Sequence, residues 1–304
     1  MEKREGKKLT KMLAGLTPPQ ASGILYSAAA VVPVLFSFVF FLVIAMTGLA
    51  ATDGYAESDW YLYCSFLLPQ ISFAFIAALF IKSGQTSFKE IATPTKWKYF
   101  LIAVVLQIGL LSLSELNTWF LELLGQIGYE DDGIAVPSMD GFGFAGVMLV
   151  IAVFPAIFEE LIFRGLLLKG LKGFGEPFAI LVCGALFALY HQNPAQTVYQ
   201  FCCGAAFAFV AIRSGSILPT MLSHFLNNAW ILIATKFSVD ITPIYLPFMC
   251  VSTFCLGAGL TYLIFADKGE KREKQSGKRD FFLAAAVGIL LCGLTWLSVL
   301  ISGI

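Results

Sequence analysis

Long apolar runs broken by short polar segments set the pattern of this chain. The runs cover residues 24–50, 61–81, 99–121, 144–168, 177–190, 196–212, 217–235, 243–265 and 281–301. A helix needs about 20 apolar residues to cross a hydrocarbon core of ~30 Å, so most of these runs read as membrane spans. The runs 177–190 and 196–212 are short, and one of them could be re-entrant. None alternates with a period of two, which argues against a β-barrel. The pattern predicts an all-α, polytopic transmembrane helical bundle of about 8–9 spans. No internal repeat is visible, which counts against a transporter built from inverted halves.

The polar segments give the topology. Residues 1–23 form a basic tail with Lys3, Arg4, Lys7, Lys8 and Lys11, suited to an anionic cytoplasmic surface. Basic segments also follow the second, fourth, sixth and eighth runs, with Lys82 and Lys89, Lys169 and Lys172, Arg213, and the charged linker 267–280. Acidic segments follow the first and third runs, with Asp53, Glu57 and Asp59, then Glu130, Asp131, Asp132 and Asp140. By the positive-inside rule the N-terminus is cytoplasmic and the C-terminus lies outside. The first run reads as an uncleaved span rather than a signal peptide. Four regions result: the tail 1–23, the first three spans in 24–142, a core of four spans in 143–236, and the last two spans with their linker in 237–304.

Composition agrees. The chain has 304 residues, 58% hydrophobic and 13% charged, where soluble domains are about one-quarter charged. Its formal net charge of zero gives no reason to expect a nucleic-acid partner. Seven cysteines show no Cys-x-x-Cys spacing and mostly lie in apolar runs, so they read as small core residues.

Against this apolar background a few polar residues stand out. The run 144–168 contains Phe158-Glu159-Glu160-Leu161-Ile162-Phe163-Arg164. Ionisable groups at membrane depth are costly and normally face a protein interior or a wet cavity. On a helix Glu160 and Arg164 share a face. Glu159 points about 100° away, leaving it free for other work. Pro155 removes a backbone hydrogen bond one turn earlier and invites a kink. Both histidines of the chain fall nearby in sequence: His191 ends Phe187-Ala188-Leu189-Tyr190-His191, and His224 opens His224-Phe225-Leu226-Asn227-Asn228. His224 and Asn228 are one helical turn apart.

This set has a limited chemistry. A carboxylate and an imidazole can hold and deprotonate water. A second histidine and an asparagine amide can donate to a developing oxyanion. Arg164 can hold one glutamate ionised. Together they could hydrolyse an amide without a covalent intermediate. Glu159, His191 and His224 are also a conceivable zinc set, though the His-Glu-x-x-His signature is absent. The plainer alternative is a buried ion pair that fixes helix register, or a structural network or binding site in a non-enzymatic membrane immunity or scaffold protein that binds a peptide or membrane partner. A proton relay in a transporter is a third reading. Ser223 points away from His224, and Cys202 and Cys203 have no evident activating partner. Glu115 and Glu122 read as interface groups, and Gln107 and Gln200 as interhelical hydrogen-bonding residues. Tyr190, Gln192 and Asn193 flank His191 and could support it.

In order on successive helices, Glu-Glu-x-x-x-Arg (Glu159, Glu160, Arg164), Phe-x-x-x-His (Phe187, His191) and His-x-x-x-Asn (His224, Asn228) resemble the CPBP intramembrane proteases. That family includes the CAAX prenyl endopeptidases and the bacterial, bacteriocin-associated Abi proteins. The turn Arg213-Ser214-Gly215-Ser216-Ile217-Leu218-Pro219 is similar to the family's lead-in to its second histidine. The resemblance covers about Phe154–Trp230. It implies that Glu159 and His191 activate water, Glu160 supports with Arg164, and His224 and Asn228 form the oxyanion site. It also implies a metal-free reaction, with zinc as the alternative, and a peptide or membrane-protein substrate. The expected setting is a bilayer, of the bacterial plasma-membrane kind.

Counted from the basic ends of their runs, Glu159 lies at ~15 Å, His224 at ~10 Å and His191 at ~21 Å. From these depths the site is expected to open toward the cytoplasmic side, with His191 deeper than its partners.

Overall fold

A computed structural model describes residues 2–269 and 274–304, with side chains from residue 8 onward. Lys3, Arg4 and Lys7 of the tail, and residues 270–273 of the charged linker, therefore lie outside the described side chains. Among the described residues there is no strand.

The first helix, α1 (Glu2–Ala14), lies within the basic tail. Leu13 is buried, and Gln85 Nε2 donates to the carbonyls of Leu13 and Leu16 at 2.6 and 3.1 Å, satisfying acceptors at its open end. α2 (Pro18–Met46) starts six residues before the apolar run. Pro18 suits a first helical position, and Gln20 Oε1 accepts from the Thr17 N–H at 3.2 Å. The remaining helices are α3 (Asp59–Lys82), the short α4 (Phe88–Ile91), α5 (Trp97–Gly125), α6 (Gly143–Phe174), α7 (Glu176–Tyr190), α8 (Pro194–Ser214), α9 (Leu218–Lys236), α10 (Thr242–Ala266) and α11 (Lys278–Ser302).

Each predicted run has its helix. Among the described residues seven of these helices are long and apolar enough to cross a membrane. The two that fall short are α7 and α9. α7 has 15 residues, or ~22 Å. α9 is long enough but carries Thr220, Ser223, His224, Asn227 and Asn228. The same polar residues that make α9 a poor span make it a site helix.

α6 is irregular. It holds two π-helical segments, Met148–Val153 and Leu161–Leu167, around a regular turn Phe154–Glu160. Such wide turns recur at functional sites. The C-terminal half of α6 is the centre of the core: every residue of Glu159–Leu168 is buried. α7 and α8 pack closely across Gly184 and Gly204. A Cβ on Gly204 would lie 2.9 Å from the Gly184 Cα. α11 returns to α2, where Ser27 Oγ donates to the Ala284 carbonyl at 2.7 Å.

Contacts between helix ends sort the loops into two faces. On one, Lys169 pairs with Glu90, Arg213 with Glu176, and Lys98 with Asp267. On the other, Lys236 pairs with Asp140, the Ser138 N–H donates to Asp59, and the Glu130 N–H donates to the Gly303 carbonyl. The faces are called basic and acidic below.

Candidate active site

The six residues singled out in the sequence lie on α6, α9 and the end of α7. Glu159 and Glu160 occupy the regular turn at the middle of α6, where helical geometry turns the two carboxylates apart.

Glu160 faces the core and is fully buried. Its Oε1 accepts from Arg164 Nη1 at 2.7 Å and from His224 Nδ1 at 2.9 Å. Arg164 is itself 1% exposed. Its guanidinium lies 4.2 Å from the Phe187 ring centroid and 5.2 Å from that of Phe207, and Nη2 donates to the Gly204 carbonyl at 3.3 Å. A buried cation needs such partners: a carboxylate, a carbonyl and aromatic faces. The close approach of α7 and α8 brings that carbonyl within reach.

Glu159 faces the opposite way. Its Oε1 accepts from Gln70 Nε2 of α3 at 3.3 Å. Its Oε2 is buried without a hydrogen bond and lies 3.9 Å from His224 Nε2. The Glu160 bond fixes a proton on His224 Nδ1, so Nε2 is the atom presented to Glu159.

His191 caps α7, and its Nδ1 lies 2.9 Å from the Phe187 carbonyl oxygen. A carbonyl only accepts, so Nδ1 carries the proton and Nε2 is left as a proton acceptor. The Phe187 ring packs against both imidazoles, 4.7 Å from His191 and 6.0 Å from His224, centroid to centroid.

Asn228 is tied to α6. Pro155 has no N–H to give to the Ile151 carbonyl four residues earlier, and Asn228 Nδ2 donates to that carbonyl at 2.8 Å. Asn228 Oδ1 accepts from Asn227 Nδ2 at 3.1 Å. Asn227 Oδ1 in turn accepts from Gln107 at 2.9 Å and from Tyr199 at 2.8 Å. This network joins α5, α8 and α9 and leaves one Asn228 amide hydrogen free.

Glu159, His191, His224 and Asn228 all line one open cavity, with Gln70, Gln196 and Gln200. Glu160 and Arg164 lie behind it. Gln107 makes the interhelical bond expected of it, whereas Gln200 lines the cavity instead. Ser223 donates to the Ala103 carbonyl at 2.8 Å, occupying the hydroxyl dismissed as a nucleophile.

The expected opening is corrected. The cavity wall continues through Ile134, Val136 and Met139 of the acidic loop and Thr235 near the end of α9. It therefore opens on the acidic face. Toward the basic face Phe163, Leu166, Leu167, Leu168 and Leu171 are buried beneath the glutamates, and a separate pocket there reaches Arg164 but none of the other five candidate residues. Glu159 lies about midway along α6, so its distance from Lys169 could not tell one end from the other. The extra depth of His191 is no anomaly, because α7 ends on the acidic side, where the cavity is.

A zinc site would need Glu159, His191 and His224 to converge as ligands. Among the described residues no three His, Cys, Asp or Glu side chains are arranged to hold a metal ion.

Sequence reasoning missed Gln70 and the roles of Asn227 and Tyr199. The available signal for Gln70 was a lone amide in the apolar run 61–81.

The fold and site define an integral membrane protein of the helical class with a buried Glu–His–Arg centre beneath a cavity. Residues 141–230, which carry all six of these side chains, match the family model described as type II CAAX prenyl endopeptidase Rce1-like. This stretch is similar to the CAAX-type protease family. No curated protein and no solved structure matches the chain.

Proposed function

We propose that the protein is an intramembrane endopeptidase that hydrolyses a peptide bond of a membrane-associated polypeptide with activated water. The observation that carries this reading is Glu159: a buried carboxylate whose free Oε2 faces His224 Nε2 at 3.9 Å, in a cavity shared with His191. The family match over 141–230 supports the same chemistry.

Glu159 accepts one proton of a water in the cavity, whose other hydrogen is held by His191 Nε2, and the hydroxide adds to the scissile carbonyl. The oxyanion so formed receives Nε2–H of His224, in its imidazolium form, and the free amide hydrogen of Asn228. Glu160 balances that imidazolium, and Arg164 holds Glu160 ionised and in place. The carbonyl then re-forms as the C–N bond breaks, and Glu159 passes its proton to the leaving amine. The apolar walls, Phe66, Ile134, Met139 and Ile231, suit an extended apolar segment of substrate.

The test is cleavage of a quenched peptide library by the detergent-purified protein and by Glu159→Gln, each with and without a zinc chelator. Chelator-insensitive cleavage that the substitution abolishes is the expected result. Full cleavage by a well-folded Glu159→Gln protein would sink the assignment. Cleavage lost with chelator and restored by zinc would move the three groups from water activators to ligands.

A further inference from the structure

The cavity opens on one face of the molecule, and charge says which face that is. Among the described residues the acidic face carries a single cation, Lys236, held at 3.0 Å by Asp140. Against it stand Asp53, Glu57, Asp59, Glu130, Asp131, Asp132 and Asp240. The basic face carries Lys82, Lys89, Lys96, Lys169, Lys172, Arg213, Lys268, Lys274 and Arg279 with few carboxylates. Segments rich in lysine and arginine are retained in the cytoplasm during insertion, which fixes the basic face inside. On that side a separate pocket lined by Glu90, Lys169 and Lys172 reaches Arg164, but none of Glu159, Glu160, His191, His224 and Asn228 lines it.

We infer that the catalytic cavity receives its polypeptide from across the membrane, away from the cytoplasm. Its substrate class is then a secreted or membrane-tethered chain that presents an apolar segment on the outer face. This rests on the protease reading for the word substrate. The direction of access stands on the cavity walls and the charge asymmetry alone. Ile134, Val136 and Met139 form the outer wall, so a chain entering there passes the acidic loop before it reaches Glu159.

The experiment is labelling of the full chain in intact cells with a membrane-impermeant maleimide, against the parent chain as baseline for its native cysteines. Asp53→Cys and Asp132→Cys report the acidic face, and Lys89→Cys and Lys268→Cys report the basic face; all four positions are exposed. Expected is labelling of the first pair in intact cells and of the second pair only after permeabilisation. The opposite pattern, or labelling of both pairs in intact cells, overturns the inference. A reporter fused after Ile304 needs no substitution, because the Gly303 carbonyl is bound to Glu130 on the acidic face. An alkaline-phosphatase reporter that requires export is expected to be active there, and an inactive but intact fusion counts against the inference. In a third arm, Met139→Cys is labelled from outside and peptide cleavage is then measured. Blocked cleavage supports entry by this route, and unchanged cleavage by fully labelled protein refutes it. Absence of cleavage before labelling refutes the protease reading and leaves the labelling result intact.

Discussion

Asn228 donates its side-chain amide to the carbonyl of Ile151 at 2.8 Å, the acceptor that Pro155 leaves without its helical partner. A backbone defect in α6 and a polar residue in α9 thus complete one another. Asn228→Ala should destabilise the detergent-purified protein by about 1 kcal/mol, the scale of an interhelical hydrogen bond in a membrane protein. In a Pro155→Ala background the helix can supply the missing N–H, so the same substitution should cost less. A double-mutant cycle on thermal stability reads the coupling. Additive effects would mean that Asn228 does not serve the proline site.

Glu160 and Arg164 form a pair with both side chains fully buried, shared with His224. Removing one partner leaves a charge stranded among phenylalanines. Arg164→Met should therefore cost about 3–5 kcal/mol. Arg164→Met combined with Glu160→Gln should recover part of that loss, since the carboxylate left without its guanidinium is gone as well. Melting temperatures of the three proteins decide the point. A double variant less stable than Arg164→Met would refute the pairing account. Neither variant is expected to cleave peptide, because Glu160 also holds His224.

The six residues were legible because ionisable groups are rare in apolar runs and must have a reason to be there. The four-residue spacing of Glu160 and Arg164 already encoded their bond. What the sequence did not show were relations between helices. Ser27 bonds to Ala284 across most of the chain, and no periodicity marks which helices are neighbours. Gln70 was equally hidden: a neutral amide in a span signals a hydrogen bond but not its partner. The side on which the cavity opens depended on which half of α6 lines it, the half with Ile151, Pro155 and Glu159. Equal apolarity along the run concealed that.

Gln70 lies outside the matched region 141–230 yet donates to Glu159 Oε1 at 3.3 Å. In the proposed mechanism it is a positioning residue: the bond to Oε1 leaves Oε2 turned toward His224 Nε2. Gln70→Ala should lower kcat by about tenfold to a hundredfold, the cost of a modest misplacement of a reacting group. KM and melting temperature should change little. Gln70→Glu sets a second carboxylate against Glu159 and should be worse than alanine. A drop confined to KM would make Gln70 a substrate contact instead.

On the basic face Lys98 Nζ lies 2.9 Å from Asp267 Oδ2, joining the start of α5 to the residue after α10. Burial pushes the Asp267 carboxyl up, but hydrogen bonds from Lys98 and Tyr99 outweigh it and hold the group below its ordinary value. A depressed folded-state pKa means that the unfolded chain binds the proton more readily. The pair's contribution is complete above the unfolded value of ~3.9 and fades as pH falls through the lower folded value. Lys98 is 40% exposed at its side chain, so solvent screening keeps the effect small. The melting temperature of the purified protein should fall more steeply on acidification below about pH 4 than that of Asp267→Asn. At neutral pH the variant should be the less stable of the two. Parallel curves for the two proteins across the acid range would show that the α5–α10 junction draws nothing from this carboxylate.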